Sequence, residues 1–173
     1  MSSVDAVTAY VGLGSNLEDP KQQVQTALQE LSTLSSSCLL NRSSFYKSRP
    51  VGPQYQPDYI NAVAAILTTL DPYQLLDHLQ ALEQVHGRVR DGERWGPRTL
   101  DLDLLLYGDS MINTPHLQIP HPEMVNRVFV LLPLSEIAPM EIEISGKGVL
   151  KSLLGDLSEW RGPIDMCTLV KHN

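Results

Sequence analysis

The sequence predicts an α+β fold in which helices cover a mainly antiparallel sheet. Strand-like and helix-like segments are mixed along the chain, and their connections are too irregular for repeated βαβ units with a parallel sheet. No linker, internal repeat or low-complexity tract divides the 173 residues, a length that can bury one core without cross-links. We therefore expect a single domain over residues 1–160, followed by a tail at residues 161–173 whose structure the sequence does not indicate.

The first strand and the first helix have recognisable boundaries. Residues 8–14 (TAYVGLG) are typical of a strand that ends at a turn formed by Gly-Ser-Asn. Asp19 and Pro20 are typical of a helix start, since a capping side chain is followed by proline at the first helical position. Apolar residues recur at helical spacing beyond them, which predicts an amphipathic helix over residues 20–34.

Two strands and a second helix are predicted next. Residues 38–47 favour a strand, although their pattern is polar. Residues 59–67 (YINAVAAIL) are almost continuously apolar, which is typical of a strand buried on both faces. Asp71 and Pro72 repeat the helix-start signal, and apolar residues at helical spacing extend this second helix to Val85.

The remaining elements are a strand, two helices and a further strand. Residues 99–107 (TLDLDLLLY) begin with strict alternation, which predicts a strand. A short helix near residues 123–132, a strand near 141–145 and a final helix at 148–157 are also expected. The prolines and glycine of residues 50–57 predict a long loop before the buried strand.

Composition and charge exclude several classes of protein. Thirteen basic and twenty acidic residues give a net charge of −7, so the chain lacks the positive field on which non-specific nucleic-acid binding depends. Cys38 and Cys167 are far apart, which argues against a disulfide framework or a cysteine-rich zinc site. No secretory signal is visible and no apolar run approaches the ~20 residues of a membrane span. We expect a cytoplasmic protein without nucleic-acid or membrane partners.

Asp101 and Asp103 lie on the same face of the strand predicted at residues 99–107. Their Cα atoms would be roughly 6.5–7 Å apart, which suits a pair of hard cations separated by ~3.5–4 Å. The alternative is an amphipathic strand with a solvated acidic face. The apolar residues 104–106 favour the metal site, because acids at the mouth of a core strand need a counter-charge.

An arginine-rich loop precedes this strand. Residues 87–97 contain three glycines and one tryptophan, so the loop has hinge positions and an aromatic ring that suits a nucleotide. A mixed-charge surface loop is the alternative, since Asp91 and Glu93 are interspersed. The chain has neither a GxxxxGK[ST] nor a GxGxxG motif. Arginine forks suit phosphate oxygens, and the cations concerned are Arg88, Arg90, Arg94 and Arg98.

The run RWGPRTLDLDLL at residues 94–105 resembles the signature of the 6-hydroxymethyl-7,8-dihydropterin pyrophosphokinases of folate biosynthesis. Further segments agree in the same order: YVGLGSNL, SSFYKSRPVG, QPDYINAV, a Pro-His pair, NRVFVLLPL and EIAP. Together they cover roughly residues 8–139. The resemblance implies a ferredoxin-like α+β fold and an enzyme that uses ATP and two Mg²⁺ ions to form the dihydropterin diphosphate and AMP. We also expect a monomer.

The resemblance also implies a role for individual residues. Asp101 and Asp103 would hold both metal ions, and Arg88 and Arg98 would be catalytic cations on a mobile loop. The ATP site would be lined by Gln80, Glu83, Arg90, Trp95, His121 and Arg127. The pterin pocket would be formed by Ser48 and Val51 through backbone groups, by Asn61 at the ring edge, and by Tyr59 and Phe129 stacking on the two ring faces.

Two positions depart from the family pattern and two rival functions stay open. Ser48 replaces a common threonine and keeps the hydroxyl. Arg49 is bulkier and more charged than expected in the first of two loops that we expect to move, at about residues 48–58 and 87–97. His116 and Gln118 lie where ATP contacts vary, so they receive no role. The rivals are a different Mg²⁺-nucleotide enzyme, such as a nucleotide hydrolase, and a non-enzymatic binding module.

Overall fold

A computed structural model describes residues 5–50, 55–87, 99–158 and 167–169. The predicted α+β class and the antiparallel sheet are confirmed, because helices pack on both faces of a six-stranded antiparallel sheet. In chain order the elements are β1 (Val7–Ser15), α1 (Pro20–Ser32), β2 (Ser37–Arg42), β3 (Tyr46–Ser48), β4 (Tyr59–Thr68), α2 (Pro72–Val85), β5 (Asp101–Tyr107), β6 (Ile112–Asn113), β7 (Gln118–Ile119), a 3-10 turn (Met124–Asn126), α3 (Val128–Ile137), β8 (Glu143–Ile144), β9 (Gly148–Val149), α4 (Leu150–Ser158) and β10 (Cys167–Leu169).

The main sheet has the strand order β10-β3-β4-β1-β5, and β2 also pairs with β4. β4 is central and seven of its ten residues are buried, which confirms the prediction of a strand covered on both faces. Its long register with β1 runs from the pair Val7–Thr68 to the pair Ser15–Ile60. β3 and β10 therefore lie at one edge of the sheet and β5 lies at the other.

The first two helices begin where the sequence predicts. Asp19 caps α1 by accepting the backbone N–H of Gln22, and Asp71 forms a reciprocal capping box with Gln74 at α2. Pro20 and Pro72 occupy the first helical position in each case. α1 ends at Ser32, two residues before the predicted end.

Two apolar layers hold the helices to the sheet. One face packs against α1 and α2, and the other packs against α3 and α4. Full burial of one such aliphatic side chain stabilises the fold by about 1.5–3 kcal/mol. The largest fully buried side chains are Phe45, Leu31, Ile66, Leu75, Leu79, Leu100, Leu105, Met124, Leu131, Leu134, Ile144 and Leu150.

The prediction of one continuous strand over residues 38–47 is wrong. The structure has two short strands there, β2 and β3, separated at Ser43. The Ser43 hydroxyl accepts the backbone N–H of Val63 at 2.9 Å, in addition to the backbone bond from Ser43 N to Val63 O at 2.8 Å. A side-chain oxygen thus replaces a ladder carbonyl, which ends the regular pairing of β2.

The helix predicted at residues 123–132 is displaced along the chain. A 3-10 turn occupies Met124–Asn126, and α3 starts only at Val128 because Arg127 has an extended backbone (φ −119°, ψ 104°). The helix continues to Ile137 even though Pro133 lies inside it and has no N–H to donate to the preceding turn. Four apolar residues of this helix, including Pro133, are buried, so tertiary packing stabilises it despite the proline.

The sequence did not predict the shortest strand pairs correctly. The strand expected near residues 141–145 is only Glu143–Ile144, and it forms a hairpin with β9. The hairpin of β6 and β7 and the strand β10 were not predicted, because two or three residues are too few to show alternation. Part of the expected tail therefore pairs with the main sheet, whereas the division at residue 160 stays a prediction.

His86 connects the end of α2 to α1. Its Nδ1 lies 2.5 Å from Oε1 of Gln23, and its Nε2 lies 2.5 Å from Oε1 of Glu30. The Gln23 amide is oriented by a further bond, from its Nε2 to the backbone oxygen of Glu18 at 3.0 Å. Because only 6% of the His86 side chain is exposed, these contacts are shielded from water and fix the two helices relative to each other.

We expect His86→Ala to lower the free energy of unfolding by about 1–3 kcal/mol, since it removes a packed ring and leaves two polar partners without it. Urea denaturation measures this difference. The control is His78→Ala on the same helix, because His78 is half-buried and makes no hydrogen bond to any residue that the structure describes. Equal losses in the two variants would show that the contacts of His86 contribute nothing specific.

Candidate active site

Residues from four neighbouring strands line up across one end of the sheet. Asn61 of β4 is paired with Tyr46 of β3 on one side and with Gly14 of β1 on the other. Gly14 is in turn paired with Asp101 of β5. Directly paired residues of an antiparallel sheet point to the same face, so an amide, a glycine and a carboxylate lie in one row.

This row forms part of a cleft that we call the sheet-face cleft. Its empty volume, with the open mouth included, is about 630 Å³. It contains both acids and all of the predicted pterin residues that the structure describes. The lining residues are Gly12, Leu13, Gly14, Ser48, Arg49, Tyr59, Asn61, Ala62, Asp101, Asp103, Arg127, Phe129 and Val130.

Asn61 is buried but has partners. Its Nδ2 donates to the hydroxyl oxygen of Ser48 at 2.7 Å and to the backbone oxygen of Tyr46 at 3.3 Å. Both acceptors belong to β3, so this strand fixes the rotation of the amide. The Asn61 carbonyl oxygen is directed instead toward Gly14, where an added Cβ would meet it at 3.4 Å. The amide is thereby oriented to present an acceptor on the cleft side.

Gly12 and Gly14 line this cleft, although the sequence predicted only a strand that ends in a turn at Gly14. The structure places both inside β1, beneath the cleft. A Cβ at position 14 would also lie 3.7 Å from Cδ1 of Tyr59, so the absence of a side chain leaves room above the sheet. The signal available in the sequence was the pair of glycines within an otherwise apolar strand, which marks close approach of a backbone or ligand.

The two acids share one face, as alternation predicted. Asp101 and Asp103 are half-exposed, whereas Leu102 and Leu104 between and after them are buried on the opposite face. The register with β1 then shifts at Leu105, which forms a bulge in β5. Bulges change the direction of neighbouring groups. Here the carbonyl oxygen of Leu105 accepts the backbone N–H of a histidine at 3.0 Å, and this bond holds the histidine near the acids.

That histidine is His121, whose Nε2 lies 3.9 Å from Oδ1 of Asp103. Burial lowers the pKa of His121 and the positive charge of Arg127 lowers it further, whereas Asp101 and Glu123 act in the opposite direction. The imidazole is therefore neutral near pH 7, and its Nδ1 accepts the backbone N–H of Glu123 at 3.2 Å. Nε2 then carries the hydrogen and faces the acids.

Arg127 supplies the charge opposite Asp103. Its guanidinium lies 3.9 Å from Oδ2 of the acid and packs over the ring of Phe129, 5.8 Å from the ring centre. The extended backbone of Arg127 places both residues at the start of α3. It was predicted for the ATP site, and in the structure it lines the sheet-face cleft next to the two acids.

A second cleft lies on the other side of β5, and we call it the helix-side cleft. Its empty volume is about 940 Å³. Asp103 lines both clefts, so the two meet at this carboxylate. The predicted ATP residues Gln80, Glu83 and His121 are all here, and the complete lining is Leu76, Gln80, Glu83, Leu102, Asp103, Leu104, Thr114, Pro115, His116, Leu117, Gln118, His121 and Pro122.

Glu83 has a structural contact in addition to its place in this cleft. It is 3% exposed, and its Oε2 accepts the backbone N–H of Leu102 at 3.0 Å. Leu102 lies between the two acids, so Glu83 helps to fix the part of β5 that carries them. The sequence could not indicate this contact, because it joins residues nineteen positions apart.

A buried polar network lies just beyond the end of β1. Asn16 is almost fully buried, and its Nδ2 donates to Oε1 of Gln56 and to the backbone oxygen of Pro57, each at 2.9 Å. Gln56 is buried as well. These bonds attach the end of β1 to the segment that leads into Tyr59, a contact that the turn signal at Asn16 does not indicate.

Several predicted site residues are outside the described part of the chain. These are Val51, Arg88, Arg90, Trp95 and Arg98, so their placement stays a prediction. Arg49, the departure noted in the sequence, is exposed and lines the sheet-face cleft. Both residues left without a role, His116 and Gln118, line the helix-side cleft.

The two acids fit the needs of Mg²⁺. Within the described residues no group of three or more His, Cys, Asp or Glu side chains is arranged to hold a metal ion. A full protein cage is not required, however, because Mg²⁺ commonly binds one or two carboxylates and completes its shell with water and substrate phosphates. Asp101 and Asp103 are hard oxygen donors on one face, half-exposed at a cleft, and therefore suit this mode.

Helices in the described ranges are all too short, or too polar, to cross a membrane. Cys38 is exposed and not bonded to another cysteine. These two observations agree with the composition but identify no partner.

The chain is similar to named proteins over most of its length. It is 58% identical over 132 residues to the 2-amino-4-hydroxy-6-hydroxymethyldihydropteridine pyrophosphokinase of Haemophilus influenzae, covering 76% of this chain and 82% of that one. The Pseudomonas aeruginosa protein of the same name is 52% identical, with 75% and 80% covered. That of Synechocystis is 46% identical, with 83% and 73% covered.

Solved structures agree with the fold. The chain superposes on Plasmodium falciparum HPPK-DHPS wild type with pteroate at a TM-score of 0.72 and 13% identity, covering 91% of this chain and 43% of that one. The wild-type structure with pterin and p-hydroxybenzoate gives 0.69 and 14%, with 90% and 42% covered. The chain thus spans less than half of these longer proteins, and at such identities the likeness shows the ferredoxin-like fold alone.

The match to a family model covers three quarters of the chain. Residues 10–139, from β1 to the end of α3, match the model described as 7,8-dihydro-6-hydroxymethylpterin-pyrophosphokinase (HPPK). This range includes both clefts and both acids. The chain belongs to the 7,8-dihydro-6-hydroxymethylpterin-pyrophosphokinase family.

Proposed function

We propose that this protein transfers a diphosphate group from ATP to the hydroxymethyl group of 6-hydroxymethyl-7,8-dihydropterin, with Mg²⁺ as cofactor. The products are the dihydropterin diphosphate and AMP, and the reaction serves folate biosynthesis. One observation carries the assignment of the two clefts: Asp103 lines both of them. An acceptor in one cleft and a nucleotide in the other would meet at this carboxylate, where transfer takes place.

The sheet-face cleft takes the pterin. A pterin is a flat heteroaromatic ring with donors and acceptors along one edge. The oriented carbonyl of Asn61 accepts from a ring-edge N–H group, and the aromatic rings of Tyr59 and Phe129 line the same cleft for stacking on the ring faces. The space above Gly14 accommodates the ring thickness.

The helix-side cleft takes ATP. Gln80 and His116 supply polar groups on its two sides, and the neutral His121 offers its Nε2–H group near the acids. A neutral donor suits a phosphate oxygen without competing for the negative charge of the aspartates. Arg127 holds positive charge at the junction, and Arg88, Arg90, Arg98 and Trp95 remain proposed contacts of the phosphates and base.

The chemical step is an in-line displacement at the β-phosphorus. A bond forms between the hydroxymethyl oxygen and the β-phosphorus, and the hydroxyl proton is released to water. The bond from this phosphorus to the α,β-bridging oxygen breaks, and AMP departs with that oxygen. The chain contributes mainly positioning and charge. When bound at Asp101 and Asp103, two Mg²⁺ ions would supply neutralisation of the phosphate charge. Arg127 and the buried contacts of β5 keep these acids in place.

An assay for AMP tests this function. The protein is incubated with ATP and hydroxymethyldihydropterin, with Mg²⁺ or with excess chelator, and AMP is measured. We expect AMP only when nucleotide, pterin and Mg²⁺ are all present. Phosphate or diphosphate release without the pterin would instead support a nucleotide hydrolase, and ATP binding without any turnover would support a binding module.

The cellular setting is proposed from composition alone. We propose a cytoplasmic monomer that binds neither nucleic acid nor membranes; the net charge of −7 supports the exclusion of nucleic acid. Sedimentation at micromolar concentration tests the monomer, since a second species would contradict it.

A further inference from the structure

The strand β10 lies outside residues 10–139 and pairs with β3, next to the sheet-face cleft. It runs antiparallel to β3, with Cys167 opposite Ser48 and Leu169 opposite Tyr46. All three residues of β3 are therefore paired with β4 on one edge and with β10 on the other.

β3 holds the two groups that orient Asn61. The Ser48 hydroxyl and the Tyr46 carbonyl accept both hydrogen bonds that the structure gives to the Asn61 amide nitrogen. A displacement of β3 relative to β4 would release these bonds and allow the amide to rotate. The acceptor presented to a pterin therefore depends on the position of a strand only three residues long.

A strand of three residues makes few ladder hydrogen bonds, so contacts beyond its pairing with β4 add to its order. A second support comes from α3, where the Glu136 carboxylate accepts hydrogen bonds from the Tyr46 hydroxyl and from the backbone N–H and hydroxyl of Ser44, the last two at 3.0 Å. These contacts hold the start of β3. Ser48, at its other end, is paired with Tyr59 and, across the outer edge, with Cys167 of β10.

We propose that β10 is a positioning element of the pterin site: its backbone pairing keeps β3, and through it the Asn61 amide, in the orientation that recognises the ring edge. This inference rests on the proposed function of the sheet-face cleft. The ATP side is unaffected, because β5 lies at the opposite edge of the sheet from β10. Removal of β10 therefore weakens the pterin site selectively.

Three chains test the proposal: the full chain, a chain lacking residues 167–173, and a control lacking only residues 170–173. We expect the longer deletion to raise KM for hydroxymethyldihydropterin about tenfold, as loss of roughly one well-made hydrogen bond predicts. KM for ATP stays within twofold. The control chain keeps both constants, so the effect is assigned to the paired residues.

A second measurement needs no substrate and separates this proposal from the proposed function. Hydrogen exchange followed by mass spectrometry should be faster at residues 46–48 in the longer deletion and unchanged in the control. Unchanged exchange and unchanged pterin KM would overturn the positioning role. If exchange rises in the longer deletion but the full chain forms no AMP, the coupling of β10 to β3 stands and the proposed reaction fails.

A substitution covers the case in which the longer deletion does not fold. Successive backbone N–H groups of a strand point to opposite edges, so prolines at two adjacent positions remove a ladder donor whichever edge is paired. The double variant Thr168→Pro, Leu169→Pro keeps the chain length. It should reproduce the rise in pterin KM and the faster exchange. If the double variant has the same pterin KM and the same exchange as the unmodified chain, the proposal is refuted.

Discussion

Asp103→Asn should reduce the rate of AMP formation by about 10³-fold while the protein stays folded. The change removes one negative charge at the only acid that faces both clefts among the described residues, and thus the charge that attracts the metal ions and opposes Arg127. Asparagine has nearly the same shape, and the β5 backbone pair with Gly12 does not use the side chain. Steady-state kinetics with saturating Mg²⁺ measures the loss.

Asp109→Asn is the matched control. Asp109 is exposed just beyond the end of β5, and its structural contact is a backbone carbonyl that accepts the hydroxyl of Ser145. It should keep normal activity. The half-exposed ion pair between Asp103 and Arg127 contributes at most about 1 kcal/mol, so urea denaturation should show only a small change in stability for Asp103→Asn. Near-normal turnover of the Asp103→Asn protein would contradict a role of this acid in metal binding.

Local signals were sufficient for much of the fold. Asp19-Pro20 and Asp71-Pro72 mark both helix starts because a capping side chain and a preset φ act within a few residues. The buried strand β4 was predictable because its apolar run is long. Where tertiary contacts decide, prediction failed: the hydroxyl of Ser43 divides one expected strand into two, and core packing carries α3 past Pro133.

In the site, too, local patterns predicted some features, and tertiary contacts decided the others. Alternation alone placed Asp101 and Asp103 on one face, because side-chain direction in a strand has a period of two. The position of Asp103 between two clefts depends on what packs on each side of β5, which no local pattern contains. The resemblance predicted that Asn61 contacts the pterin. That its side-chain nitrogen donates to Tyr46 and Ser48 of β3 is visible only in the structure.

Gly14 shows why a glycine can be misread. In the sequence it precedes Ser-Asn and is typical of a turn, whereas in the structure it is paired on both sides within β1. Its backbone has no positive φ, so conformational freedom does not explain it. The remaining explanation is space, because the Cβ of any other residue would enter the region between Asn61 and Tyr59.

Gly14→Val should therefore raise Kd for the dihydropterin between about 5- and 150-fold, the range that an overpacking cost of about 1–3 kcal/mol predicts. Its Cβ would lie 3.4 Å from the Asn61 carbonyl oxygen, and its methyl groups would extend further into the cleft. Affinity for ATP should change less than twofold, because Gly14 does not line the helix-side cleft. Calorimetric titration of each ligand measures both effects.

The graded variant Gly14→Ala separates space from fold. Alanine adds only the Cβ, which can be accommodated at 3.4 Å by a small shift of the amide, so its effect should be several-fold smaller than that of valine. Valine itself favours strands, and β1 should remain folded in both variants. Gly155→Val on α4, where an added Cβ meets no atom of the described residues within 4 Å, provides the control. Pterin affinity that is equal in the glycine, alanine and valine proteins would mean that the ring does not lie over β1, and the assignment of the sheet-face cleft to the pterin would have to be abandoned.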